Sequence, residues 1–253
     1  MDESLQVAYE RTIERERVGD LVGLVPAATR TVLDIGARGG FIARQLADRG
    51  FAVTALDLER PLIDDPRIEC VQGDATELPY GDRSFDLVFC AEVLEHIEQP
   101  ALQRAAGELA RVARHHLVIG VPYRQDLRLW RTRCGSCGAV NPPWGHVNSF
   151  DEAGLLALFA GWNLLERRFI GVGEPGTNAV SAWLMDLAGN PYGTYVQDEG
   201  CIRCGASIVR PGPRTVWQRA CTRAAVLARA CTSRFEAPRP NWIHLLVARM
   251  DAA

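Results

Sequence analysis

Residues 31–40 read Thr-Val-Leu-Asp-Ile-Gly-Ala-Arg-Gly-Gly, and a helical pattern from Phe41 to Arg49 follows them. An apolar run ends in an acid, turns through glycines and opens onto a helix. That order predicts a buried parallel strand feeding a nucleotide loop with no phosphate cradle. Gly36, Gly39 and Gly40 let the backbone come close to a ligand or take a positive φ. The dinucleotide fingerprint G-x-G-x-x-G is not met, because Arg38 holds its second glycine position and Phe41 follows Gly40.

Outward from this stretch the apolar pattern predicts a helix over 5–25 that stops at Pro26. Strands follow at about 31–36, 52–57, 67–72, 85–90 and 115–121, with helices at about 40–49 and 100–113. The alternation predicts an α/β, Rossmann-like, doubly wound sheet. After Pro122 come a polar loop (124–150), a short helix (151–160) and a strand (162–171). A long excursion (173–240) carries helices at 177–189 and 214–232, and a closing strand runs over 241–250. A loop of that length usually carries function or covers a site. The 253 residues read as one domain with two insert or lid segments, 124–150 and 173–240.

The start, Met1-Asp2-Glu3-Ser4, is acidic and carries no secretory pattern, and no apolar stretch approaches the ~20 residues of a membrane span. The expectation is a cytoplasmic protein with no membrane partner. A net charge of −3 predicts no general affinity for polyanions, so nucleic acid is not an expected partner. The charge is uneven, however. Residues 200–235 hold Arg203, Arg210, Arg214, Arg219, Arg223, Arg229 and Arg234 and no acid, in a chain without lysine. That run reads first as a solvated helix face and second as an anion-binding surface. An apolar face on the first helix suits a homodimer contact as well as a lid.

In open α/β sheets the ligand lies across the carboxyl ends of the strands. Asp34, Asp57 and Asp74 fall at three such ends. Acids at strand ends are also common turn residues. In this order with the glycine turn, they resemble the cofactor loop of class I S-adenosylmethionine-dependent methyltransferases, whose usual form is V-L-D-x-G-x-G-x-G. The resemblance covers residues 30–170. It implies a seven-stranded sheet with the last strand antiparallel, and it implies that cofactor. By resemblance Asp57 accepts the ribose hydroxyls, Asp74 and Ala75 meet the adenine, and Gly36 with its neighbours Gly39 and Gly40 lies against the methionine part. Arg38 must swing clear or reach the cofactor carboxylate.

After strand four the chain reads Ala91-Glu92-Val93-Leu94-Glu95-His96-Ile97. On a helical turn Glu92, Glu95 and His96 share one face. Two carboxylates and an imidazole suit a divalent metal, magnesium or manganese, with His146 as a fourth ligand from the loop after strand five. The E-x-x-E-H string is similar to those of metal-dependent O-methyltransferases acting on small-RNA ribose and in ubiquinone synthesis. The chemistry is direct: an alcohol is a poor nucleophile, a metal lowers the pKa of a bound oxygen, and His96 or His146 takes the proton. The alternative is a metal-free site with histidine as unaided base. His115 and His116 read as boundary residues, and His244 as a packed one.

Cys134-x-x-Cys137-Gly and Cys201-x-x-Cys204-Gly are two knuckles that together supply the four thiolates zinc prefers. Disulfides and redox thiols are the alternatives, and a cytosolic setting disfavours the first. One ion shared by both knuckles would clamp the excursion over the substrate side. Cys70, Cys90, Cys221 and Cys231 read as buried small apolar residues. Trp130, Trp144, Trp162 and Trp183 suit core filling or stacking on a sugar ring.

The sequence reading is therefore an O-methyltransferase acting on a carbohydrate hydroxyl of a small-molecule or oligosaccharide acceptor. The W-G-H-x-x-S-F string after the first knuckle resembles methyltransferases of bacterial polysaccharide pathways. A phenolic or catechol acceptor comes second. The competing class is a non-catalytic, zinc-stabilised binding module with the same fold.

Overall fold

A computed structural model of the chain describes residues 3–197 and 199–250. Its elements run α1 (Glu3–Val22), β1 (Thr31–Ile35), α2 (Phe41–Asp48), β2 (Ala52–Asp57), β3 (Ile68–Gln72), β4 (Phe85–Ala91), α3 (Ala101–Val112) and β5 (Ala113–Pro122). They continue with β6 (Thr132–Arg133), β7 (Val140–Asn141), α4 (Glu152–Ala157), β8 (Trp162–Ile170), α5 (Ala179–Leu187), α6 (Val216–Ser233) and β9 (Trp242–Arg249). The chain divides into two compact units. Unit 1 holds Met1–Tyr123, Phe150–Gly171 and Pro240–Ala253, and unit 2 holds Arg124–Ser149 and Val172–Arg239. The two insert segments expected from the sequence thus come together as one unit.

Unit 1 is built on a seven-stranded sheet of order β3-β2-β1-β4-β5-β9-β8. Strands β1 to β5 pair in parallel, and β9 lies antiparallel between β5 and β8. This is the expected doubly wound arrangement with the last strand reversed. The continuous apolar runs of the central strands have a simple cause: both faces are covered. Along β1, Val32 packs into one core with α1 and α2, while Leu33 and Ile35 pack into the other with α3. Helix α3 buries Leu102, Ala105, Ala106, Leu109 and Val112, a 3-4 spacing that draws one stripe down the helix.

At the end of α1, Val18, Leu21 and Val22 are buried in the core of unit 1 itself. The side chains of the first turns of that helix lie outside the described residues.

Unit 2 contains the short hairpin β6–β7, which the sequence reading did not anticipate, and the helix pair α5–α6. Thr215 caps α6 through a reciprocal box with Gln218, and Asn178 caps α5 by accepting from Ser181 N–H. Two cysteine expectations fail: Cys231 is exposed and Cys70 is only half-buried, whereas Cys90 and Cys221 are buried as expected. Trp144 and Trp183 are exposed and fill no core.

Candidate active site

The site in unit 1 follows from the carboxyl ends of β1 to β4. Beyond β1 the backbone takes positive φ at Gly36 (76°), Arg38 (42°) and Gly40 (74°). Two of these glycines are required by packing. A Cβ on Gly36 would stand 2.3 Å from Val93 Cγ2, and one on Gly40 would stand 2.4 Å from Ile63 Cδ1. Gly39 is different: a Cβ there meets nothing within 4 Å, and its φ is not positive. Gly36 N–H and Ala37 N–H both donate to Leu56 O, at 2.9 and 3.2 Å, which ties the turn to the end of β2.

Asp57 closes β2. Its carboxylate accepts from Arg38 N–H at 2.8 Å and from Leu58 N–H at 2.7 Å. A carboxylate offers about four acceptor sites, so these two bonds leave room for further donors. Asp74, after β3, accepts from Thr76 N–H at 2.7 Å and Thr76 Oγ1 at 2.8 Å, a short Asx turn. Ala75 beside it is buried in the core against α3. Asp34 lies within β1 rather than at its end and is buried, with Oδ2 lacking a hydrogen-bond partner. Burial, aided by the charge of Asp57, lifts its pKa to about 8.

The segment after β4 departs from the sequence expectation. Glu92 is not on a helix: it takes φ 56°, and only Leu94–His96 form a single 3-10 turn. The helical face that would aim Glu92, Glu95 and His96 together is therefore missing. Glu92 instead faces α1 and β9. Its Oε1 lies 3.5 Å from Arg17 NH1, and its Oε2 accepts from Trp242 Nε1 at 3.4 Å. Arg17 lies over the Trp242 ring, 5.7 Å from its centroid, and also grips Glu14 at 2.6 Å. Burial raises the Glu92 pKa, and Arg17 opposes that rise.

Glu95 is 1% exposed, and neither carboxylate oxygen takes a hydrogen bond from another residue. Burial, then the neighbouring Glu92, push its pKa well above the ordinary carboxylate range. A carboxylate oxygen of Glu95 and a ring nitrogen of His96 lie within 4.8 Å, close enough to share one cation. Arg17 and Trp242 escaped the sequence reading, because nothing local in an Arg- and Glu-rich helix marks one arginine for burial. Asp20 and His244 escaped it too as a pair: His244, fully buried, meets Asp20 Oδ2 through Nδ1 at 2.6 Å.

In unit 2, His146 is buried, with Nδ1 at 2.6 Å from Gln125 Oε1 and its ring 5.9 Å from that of Trp144. Cys134, Cys137, Cys201 and Cys204 place their sulfurs within 4.8 Å of one another. Cys134–Cys204 and Cys137–Cys201 each lie at 3.7 Å. A disulfide needs ~2.05 Å, whereas four sulfurs at about 2.3 Å around one ion stand about 3.8 Å apart. The knuckles repeat one local geometry. Cys134 N–H donates to Ala139 O and Cys201 N–H to Ala206 O, both at 2.8 Å, and Gly138 and Gly205 close each turn at φ 72° and 69°. Burial raises the Cys201 thiol, but backbone N–H groups of Arg203 and Cys204 and the neighbouring cysteines outweigh it and bring the pKa to about 6.

Comparison with known proteins gives the following likenesses. Residues 33–118 match the family described as a methyltransferase domain. The demethylmenaquinone methyltransferase of Renibacterium salmoninarum is 36% identical over 105 residues, 40% of this chain and 43% of that protein. A ubiquinone biosynthesis O-methyltransferase of Paracidovorax citrulli is 32% identical over 34% of this chain and 40% of its own length. An uncharacterized methyltransferase of Mycobacterium bovis is 34% identical over 53% of each chain. The chain thus spans about half or less of the length of these relatives. Among solved structures, a putative methyltransferase of Bacillus halodurans superposes with a TM-score of 0.54 at 15% identity, covering 92% of this chain and 99% of that one. The chain therefore has the Rossmann-like methyltransferase fold, and its residues 33–118 carry the match to the methyltransferase domain family.

Proposed function

We propose that the chain moves a methyl group from S-adenosylmethionine to a hydroxyl oxygen of a small acceptor. One observation carries this reading. The Gly36 turn, Asp57, Asp74 and the Glu95–His96 pair follow four adjacent parallel strands at the same sheet edge. When bound, S-adenosylmethionine supplies an electrophilic methyl group on a sulfonium. Asp57 would accept the ribose hydroxyls with the lone pairs its two amide bonds leave open. Asp74 and Ala75 would border the adenine, and Gly36 to Gly40 the methionine part.

On the acceptor side, Glu95 offers two buried oxygens without partners, which fit a divalent cation or a proton. In our reading Glu95 and His96 hold magnesium or manganese, which would make a bound hydroxyl more acidic. Without the ion, His96 takes the hydroxyl proton directly. Glu92 keeps its Arg17 and Trp242 contacts and orders the segment. His146 enters as a further candidate ligand or base, tested by His146→Ala.

A hydroxyl pair on a catechol or a sugar would suit this chemistry equally. The relatives named for quinone synthesis favour the phenolic acceptor, and the carbohydrate hydroxyl is the second arm of the test. We also assign a structural zinc to Cys134, Cys137, Cys201 and Cys204. Four thiolates leave no open position, so this ion takes no part in the transfer.

Radiolabelled methyl transfer from S-adenosylmethionine to catechols and to sugars, with and without chelator, tests the proposal. The expected result is transfer that chelator abolishes and magnesium or manganese restores. Intact cofactor binding with no transfer to either class would favour the non-catalytic binding module.

A further inference from the structure

Both long helices of unit 2 turn their large apolar residues outward. Helix α5 buries Ser181 and Ala182 while Val180, Trp183 and Leu187 are exposed, Trp183 at 60%. Helix α6 buries Cys221, Thr222 and Ala225 while Trp217 is 69% and Leu227 68% exposed. Between them the seam is made of small and polar groups. Ser181 Oγ donates to Ala225 O at 2.7 Å, and Asn178 Nδ2 donates to Ala228 O at 2.8 Å. A helix docked on a protein core shows the reverse pattern.

The outer face of α6 has its own order. Positions 216, 220, 223, 227, 230 and 234 follow 4-3-4-3-4 spacing and read Val, Ala, Arg, Leu, Ala, Arg, all exposed. Arg219 and Trp217 flank this stripe. Arg229, on another face of α6, meets Glu174, but the arginines of this stripe and Arg219 are not neutralised. In unit 1, Arg67, Arg111, Arg114 and Arg168 each meet an acid. Among the described residues, Arg219, Arg223 and Arg234 meet none, and residues 200–235 contain no acid to supply one. Unit 2 holds 12 of the 28 arginines but 6 of the 31 acidic residues, a formal charge of +6 within a chain of −3.

We propose that α6 is a docking surface for an anionic lipid bilayer, lying along the headgroup layer. Val216, Trp217 and Leu227 would enter the boundary region, and Arg219, Arg223 and Arg234 would reach the phosphates with their stems along the apolar layer. Charge complementarity selects this occupant. A second copy using the same face would set arginine against arginine across a two-fold axis. Nucleic acid would satisfy the arginines and leave the exposed valine and leucine without a partner. No helix among the described residues is long and apolar enough to cross a membrane, so the contact is peripheral. The inference does not depend on which acceptor is methylated.

The test is co-sedimentation of the full chain with vesicles of phosphatidylcholine alone or with about a third phosphatidylglycerol. The expected result is binding at least about tenfold tighter to the anionic vesicles, weakened by salt. Arg219→Gln with Arg223→Gln should lower that binding about 30-fold, since each cation near the surface contributes roughly a factor of five. Trp217→Ala with Leu227→Ala should lower it at either salt level. Unchanged circular dichroism checks that each variant is folded, and Arg223→Gln alone replaces the double variant if it is not. Equal binding to both lipids, or no response to either substitution pair, would overturn the proposal. So would a dimer in sedimentation equilibrium that Leu227→Arg splits, which would give the face to a second copy.

Discussion

Arg38 donates its backbone N–H to Asp57 Oδ2 at 2.8 Å. The bond crosses from the turn after β1 to the end of β2, so the chain between them is held by a group that any residue at 38 supplies. The residue sits at φ 42°, where L-residues pay about 1–2 kcal/mol, while its guanidinium lies near enough to Glu92 and Glu95 to oppose the rise of their pKa values. Arg38→Gly should therefore keep the turn and cofactor affinity while pushing the Glu92 and Glu95 pKa values further up. Loss of binding in this variant would mean the guanidinium itself grips the cofactor.

The two kinds of glycine in the turn should separate cleanly. Gly36→Ala puts a methyl 2.3 Å from Val93 Cγ2 at a positive φ, and a loss of about 1–3 kcal/mol is expected by urea unfolding. Gly39→Ala meets open space and should change stability by less than about 0.5 kcal/mol. Val93→Ala should rescue part of the first loss and none of the second.

Arg17 stands between Glu14, Glu92 and the Trp242 ring with its side chain almost wholly buried. Arg17→Met should cost about 1–2 kcal/mol, because it leaves the half-buried Glu92 without its cation. Adding Glu92→Gln should recover much of that loss. A double-mutant cycle on unfolding free energies reads the coupling, and additive effects would show that the pair does not interact.

The pH profile has a definite sign. Folding raises the pKa of Asp34 from 3.8 to about 8, so between those values the folded state binds the extra proton. Stability gained below the unfolded pKa is then lost as pH rises toward 8. Glu95, raised by burial and Glu92, acts in the same direction. Asp34→Asn should flatten much of the decline in urea midpoint between about pH 5 and 8. An unchanged slope in that variant would assign the decline to other groups.

Metal content follows from the thiolate geometry. Purified full chain should carry one zinc per molecule by elemental analysis, and Cys134→Ser with Cys201→Ser should abolish it. Removal by a strong chelator should loosen unit 2, whose knuckles share a small buried apolar cluster of Cys134, Cys201 and Ile208. Four reactive thiols with no metal would leave the site unassigned to zinc and point to redox chemistry.

Unit 1 was legible for a physical reason. Strands covered on both faces read as unbroken apolar runs, so Val32, Leu33 and Ile35 announce β1 without any tertiary information. The thiolate cluster was legible because C-x-x-C-G fixes its own local geometry. The direction of Glu92 was not, since a residue just before a short 3-10 turn follows no helical period. Arg17 was hidden because its partner lies 75 positions along the chain in a different element. In α5 and α6 the helical period was visible, but not which face would be covered. That choice depends on the Ser181–Ala225 seam, which no local pattern encodes. The two-residue strands β6 and β7 are too short to show a period at all.

The central claim is that a sulfonium cofactor binds at the turn held by Asp57, and calorimetric titration with S-adenosylhomocysteine tests it most directly. The expected result is one site per chain in the wild type, at least about tenfold weaker in Asp57→Ala and unchanged in Arg38→Gly. No binding to the folded wild-type chain, or equal affinity in Asp57→Ala, would contradict it.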